Sequence, residues 1–236
     1  MSYKAVIFDL DGTILDTLQD LANSVNHALR THGYPERTLD EVRGFIGNGI
    51  RVLMRRSCPA DISEAAQEEA LATFRVHYDA HCKDFTGPYG GIHDLLAALK
   101  ERGIRTAVVS NKIEPAVIVL CDEHFPGAFE YMVGNRPDLA PKPSPDSVNE
   151  VIEKMGLEAL IQGHLCFGDT GTCKGETILR LMREHDISSA CYIGDTLGDQ
   201  EAADYAGIPF VHCTFGFGQA EHCIAAVDSF DELLNL

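Results

Sequence analysis

With 236 residues, 45% of them hydrophobic and 23% charged, the chain has the composition of a globular protein with room for a large core and a smaller accessory module. Its formal net charge of −17 sets it against phosphate backbones and anionic lipid, so neither nucleic acid nor membrane is an expected partner. No apolar run approaches the ~20 residues of a membrane span, the opening MSYKAVIFDLDG lacks a signal-peptide pattern, and the eight cysteines include no CxxC or zinc-type spacing, so a cytoplasmic protein with free thiols is expected.

In chain order, short apolar runs alternate with helical patterns. AVIF (5–8), TAVVS (106–110), YMVG (131–134), LCFG (165–168), CYIG (191–194) and PFVHC (209–213) read as strands. They are nearly uninterrupted by polar residues, as expected of parallel strands buried on both faces. Between them, Ile92, Leu95, Leu96 and Leu99 form a helical stripe closed by Gly103, and Ile178, Leu179, Leu181 and Met182 form another. The alternation predicts an α/β fold, a doubly wound, Rossmann-like parallel sheet.

One segment breaks the alternation. Between 16 and 88 there are only helical patterns: a stripe through Leu18, Leu21, Ala22, Val25 and Leu29, then a candidate helix over 64–82. This predicts an all-helical cap at 16–88 inserted into a core made of 1–15 and 89–236. Gly87, Pro88, Gly90 and Gly91 mark the return hinge. Such an insert lies over the carboxyl ends of the strands, where ligands bind in these sheets, and is expected to act as a lid. A second irregularity is an apparent extra βα unit over 131–185, in which Lys142 and Lys174 occupy matching places before their helices.

The chemistry-bearing residues cluster at strand ends. Asp9 and Asp11 follow the first strand in FDLDGT, with Gly12 permitting a sharp turn and Thr13 adding a hydroxyl. Two unit charges 4 Å apart near a protein surface interact by about 4 kcal/mol, so this pair needs a cation or a shared proton. Asp195 and Asp199 follow a second buried strand in GDTLGD. Together the two acidic pairs offer the oxygen ligands that suit Mg²⁺, and a cation there also answers the repulsion a −17 chain presents to an anionic substrate. Ser110–Asn111 ends a third strand and offers donors for phosphate oxygens. Each motif alone has a plain structural reading as an Asx turn or a helix cap.

Read together, DLDGT, the strand-end Ser110–Asn111, a helix-opening lysine and the run GDTLGDQEAADYAGI resemble the haloacid dehalogenase superfamily, and especially its phosphoglycolate-phosphatase-like branch. The resemblance covers nearly the whole chain, including the helical insert. It implies a Mg²⁺-dependent phosphatase acting on a small phosphorylated metabolite, as a monomer or homodimer. In that scheme Asp9 is the nucleophile and forms an aspartyl-phosphate. Asp11 is the general acid and then base. Asp9, Asp195, the Asp11 carbonyl and, less directly, Asp199 hold the metal, while Ser110 and a lysine hold the phosphoryl group. The acid at position 11 separates the chain from the family's dehalogenases. Lys142 in KPSP has the better local match, but Lys174 opens the helix leading to the Asp195 strand, and on that ground Lys174 is preferred. Thr13, Asn111 and, from the cap loop GFIGNGIR, Arg51 are further candidate substrate contacts. A sugar phosphomutase of the same superfamily and a non-catalytic phosphate-binding protein are the alternative readings.

Overall fold

The structure is a computed structural model that describes residues 4–142, 144–156 and 190–233. Its centre is β1 (Ala5–Phe8), flanked by β4 (Arg105–Ile113) and β6 (Ala190–Gly194) in a sheet that has six strands among the described residues. The order is β5-β4-β1-β6-β7-β8, with β5 at Tyr131–Asn135, β7 at Phe210–Cys213 and β8 at Ala225–Val227. Every pairing in this sheet is parallel.

The AVIF run forms a strand because each of its side chains has an apolar place to go. Ala5 and Ile7 point to one face, against α7 (Asp146–Lys154) and α8 (Leu197–Ala206). Val6 and Phe8 point to the other, against α5 (Ile92–Glu101) and α6 (Glu114–His124). This is the period-2 alternation of a strand with helices on both sides. The doubly wound sheet expected from the alternation of strands and helices is present. The proposed strand at 165–168, the helical stripe around 178–182 and Lys174 lie outside the described residues. The strand β8 was not anticipated, since three residues are too short to show a period.

Between β1 and α5 the chain builds a helical module from α1 (Leu18–Thr31), α2 (Leu39–Phe45), α3 (Gly49–Ser57) and α4 (Glu64–His81). It has its own apolar core, in which Leu21, Val25 and Leu29 of α1 meet Leu53, Met54, Phe74 and Tyr78. Two features tie the module at its base. β2 (Leu15–Asp16) pairs antiparallel with β3 (Gly87–Pro88). The buried Asp20 carboxylate accepts from the backbone N–H groups of Phe85 and Thr86 and from the Thr86 hydroxyl. Among the described residues no helix is long and apolar enough to cross a membrane. Cys58, Cys82, Cys121, Cys191 and Cys213 are free and buried, and Cys223 is free and exposed.

Candidate active site

The carboxyl ends of β4, β1 and β6 lie side by side, so residues far apart in sequence converge. Asp9 continues β1, its N–H bonded to the Ile193 carbonyl at 2.9 Å. The chain then turns through Gly12, whose φ of 86° is a left-handed conformation. A β-carbon there would stand 2.7 Å from Asp195 Oδ2, so the close approach of the β1 turn to Asp195 also requires glycine.

Asp9, Asp195 and Asp199 are all buried, and one carboxylate oxygen from each lies within 4.8 Å of the other two. Burial and the nearby Asp199 push the Asp9 carboxyl well above the ordinary range, against the pull of Lys142, and Asp195 pushes it further. Asp195 is pushed up to about 7, by burial first and Asp199 second. The Phe217 N–H at 2.7 Å, the Thr13 hydroxyl at 2.9 Å and the charge of Lys142 restrain that rise, and the Gly218 N–H lies 3.3 Å from the same carboxylate. The anticipated substrate contact Thr13 is therefore fully buried and spends its hydroxyl orienting Asp195. Asp199 is committed twice. One oxygen closes a capping box with Thr196 at the start of α8, and the other accepts from Lys142 and from Tyr192.

Among the described residues, Lys142 is the lysine that meets this cluster. Its Nζ donates to Asp9 Oδ1 at 2.7 Å, and it contacts the Tyr192 hydroxyl at 3.0 Å and the Val109 carbonyl at 3.3 Å as well as Asp199. Burial disfavours its ammonium, but Asp199 and Asp9 outweigh that cost and hold its pKa well above the ordinary lysine value. Asn111 fixes the backbone of this lysine, accepting from the Lys142 N–H at 2.7 Å and donating to the Lys142 carbonyl at 3.1 Å. The same amide donates to the Gly47 carbonyl of the helical module at 2.9 Å.

Ser110, Asn111 and Lys112 enter the site through a bulge. β4 and β5 pair in step up to Val109↔Val133, but the next pair is Ile113↔Asn135, so β4 carries extra residues over that stretch. Bulges of this kind re-aim side chains at sheet ends. Gly134 makes room for it, since a β-carbon there would lie 2.4 Å from Glu114 Cα and 2.7 Å from the Lys112 carbonyl oxygen. Lys112 was not anticipated. Its Nζ donates to Asp11 Oδ1 at 2.9 Å and to the Tyr78 hydroxyl of α4 at 2.5 Å. Burial disfavours this ammonium too, yet Asp11 and Tyr78 hold its pKa above the ordinary value. The available signal was a lysine immediately after Ser110–Asn111, at the end of a strand buried on both faces.

These residues face a cleft that opens to solvent between the sheet and the helical module. Asp9, Asp11, Ser110, Asn111, Lys112, Lys142 and Thr196 line the sheet side, and Leu21, Ile46, Gly47, Gly49, Ile50 and Leu53 line the helical side. The GFIGNGIR loop thus lies over the cleft, but Arg51 does not line it. Arg51 is exposed and paired with Glu68.

The profile of the haloacid dehalogenase-like hydrolase family matches residues 6–172. A phosphoglycolate phosphatase of Pseudomonas putida is 30% identical over 220 residues, covering 91% of this chain and 70% of the relative. Phosphoglycolate phosphatase 1 of Pseudomonas aeruginosa is 32% identical over 221 residues, with the same coverage. A phosphoglycolate phosphatase candidate from Lactobacillus delbrueckii subsp. bulgaricus, solved by crystallography, superposes with a TM-score of 0.82 at 28% identity, covering 100% of this chain and 98% of that one.

Proposed function

The chain belongs to the haloacid dehalogenase-like hydrolases and is a phosphoric monoester hydrolase of that family, and from this premise we propose that it cleaves a small phosphorylated metabolite of the phosphoglycolate type through a phosphoenzyme on Asp9. The observation that carries the reading is the convergence of Asp9, Asp11, Ser110 and Lys142 on one small cleft.

Asp9 attacks phosphorus. A bond forms between a carboxylate oxygen and phosphorus as the bond to the substrate's ester oxygen breaks. Asp11 gives that departing oxygen its proton. In the second half Asp11 takes a proton from water as the water oxygen attacks phosphorus, releasing phosphate and restoring the Asp9 carboxylate. Lys142 and Ser110 hold phosphoryl oxygens, and Asn111 keeps Lys142 in place. Phosphoryl transfer depends mainly on such positioning and charge neutralisation. The preference for Lys174 rested on chain topology, whereas the bond from Lys142 to Asp9 favours Lys142.

The donor set suits Mg²⁺: buried carboxylate oxygens, with no sulfur or imidazole joining the cluster among the described residues. Asp9 and Asp195 would hold the ion together with the Asp11 carbonyl. Asp199, occupied by Lys142, Tyr192 and Thr196, would support them from behind. When bound, the ion supplies positive charge against the phosphoryl oxygens.

The test is phosphate release from a panel of phosphorylated metabolites with Mg²⁺, comparing wild type with Asp9→Asn. We expect turnover of 2-phosphoglycolate by wild type and none by Asp9→Asn, with the variant's circular dichroism unchanged. A folded, active Asp9→Asn enzyme, shown by mass spectrometry not to have deamidated, removes Asp9 as the nucleophile.

A further inference from the structure

We propose that Lys112 reads the tail of the substrate, its ammonium receiving an anionic group carried one or two bonds beyond the ester oxygen. This rests on the reading of the cleft as a phosphomonoester site. Two lysines line that cleft, and they are differently placed. Lys142 lies against Asp9 and has four oxygen partners. Lys112 lies against Asp11 and the Tyr78 hydroxyl. An ammonium has three N–H donors, so among the described residues Lys112 keeps one in reserve. Its side chain is only 3% exposed, so water gives that donor little compensation.

The position of the charge sets the length of the tail. Asp11 is the group proposed to meet the leaving oxygen, and Lys112 Nζ is 2.9 Å from Asp11 Oδ1. A carboxylate separated from the ester oxygen by one methylene therefore falls within reach of Lys112, while the phosphoryl group stays with Lys142. The helical side of the cleft offers apolar groups such as Leu21, Ile50 and Leu53, and Arg51 is engaged elsewhere with Glu68. Among the described lining residues Lys112 is thus the cation available to a second anion.

The experiment compares kcat/KM for 2-phosphoglycolate and for its carboxyl methyl ester, which keeps the phosphate and removes the tail charge. Wild type should prefer the acid by about 10- to 100-fold, the scale of a charge-assisted hydrogen bond. In Lys112→Gln that ratio should collapse toward one, and in Lys112→Arg, which keeps the charge, much of it should survive. A ratio unchanged in Lys112→Gln, with both substrates losing equally, overturns the proposal, because Lys112 would then act only through Asp11. Lys112→Gln leaves Asp11 without its partner, so the wild-type comparison also stands by itself: equal kcat/KM for acid and ester overturns the proposal without any variant. Wild-type hydrolysis of p-nitrophenyl phosphate tests the parent reading separately. Inactivity on all three compounds overturns both readings, whereas activity on p-nitrophenyl phosphate without preference for the acid overturns this one alone.

Discussion

The Asp195 carboxyl shows what the acidic cluster costs and what a cation would relieve. Its pKa of about 7 in the folded chain exceeds the ordinary carboxyl value because it is buried beside Asp199. Between pH 4 and 7 the folded state therefore keeps a proton that the unfolded state releases. This contribution to stability is present at low pH and is lost as pH rises toward 7, on the order of a few kcal/mol. At the proposed metal site, Mg²⁺ would compete with that proton. We expect Mg²⁺ to raise Tm by several degrees at pH 8 and by much less at pH 5, read by thermal denaturation in both buffers. Equal shifts at the two pH values would argue that the ion binds elsewhere. At this scale the acids were legible in sequence because strand-end Asp pairs at fixed spacing are rare. Lys112 was not, because its meaning depends on Asp11 and on Tyr78 of a helix inserted elsewhere in the chain. Thr13 was legible as a hydroxyl near the acids, but not that it would turn toward Asp195 rather than the cleft.

At the scale of elements, the bulge at the end of β4 presents Ser110, Asn111 and Lys112 together. The strand itself could be read from its buried Val run, whereas the bulge could not, since it depends on register against β5. Gly134 in β5 is its structural condition. A methyl group at that position meets the backbone of Glu114 and Lys112, which cannot yield as a side chain would. Gly134→Ala should therefore destabilise the protein by about 1–3 kcal/mol and lower kcat/KM more than stability alone explains, since the displaced bulge carries Ser110 and Asn111 of the proposed phosphate site. Gly90→Ala, where a β-carbon meets nothing within 4 Å, is the packing control and should leave urea unfolding nearly unchanged. If the two variants behave alike, the tight packing under the bulge has no functional weight.

Over the whole molecule, the helical module has a separate core and is joined to the sheet domain through the two-residue pairing of β2 with β3 and the Asp20 clamp. Its contact with the sheet side near the cleft includes the Asn111–Gly47 and Lys112–Tyr78 hydrogen bonds. We expect segment 16–88 to move as a lid on these short hinges, with 44–51 and 84–91 exchanging amide hydrogens more slowly when a phosphate analogue and Mg²⁺ are bound. Unchanged exchange there would indicate a fixed module instead. The strand order has another consequence, for biosynthesis. β1 is central, and Ala5 must pair with both Arg105 and Ala190. At translation rates of about 5–20 residues per second, the second of those partners leaves the ribosome roughly 10–40 s after the first strand. Through that interval AVIF is an apolar segment with an open edge, a state prone to pairing with other chains. A ribosome-stalled chain ending before residue 190 should therefore engage chaperones and hydrolyse nothing, because the strand that delivers Asp195 has not been made.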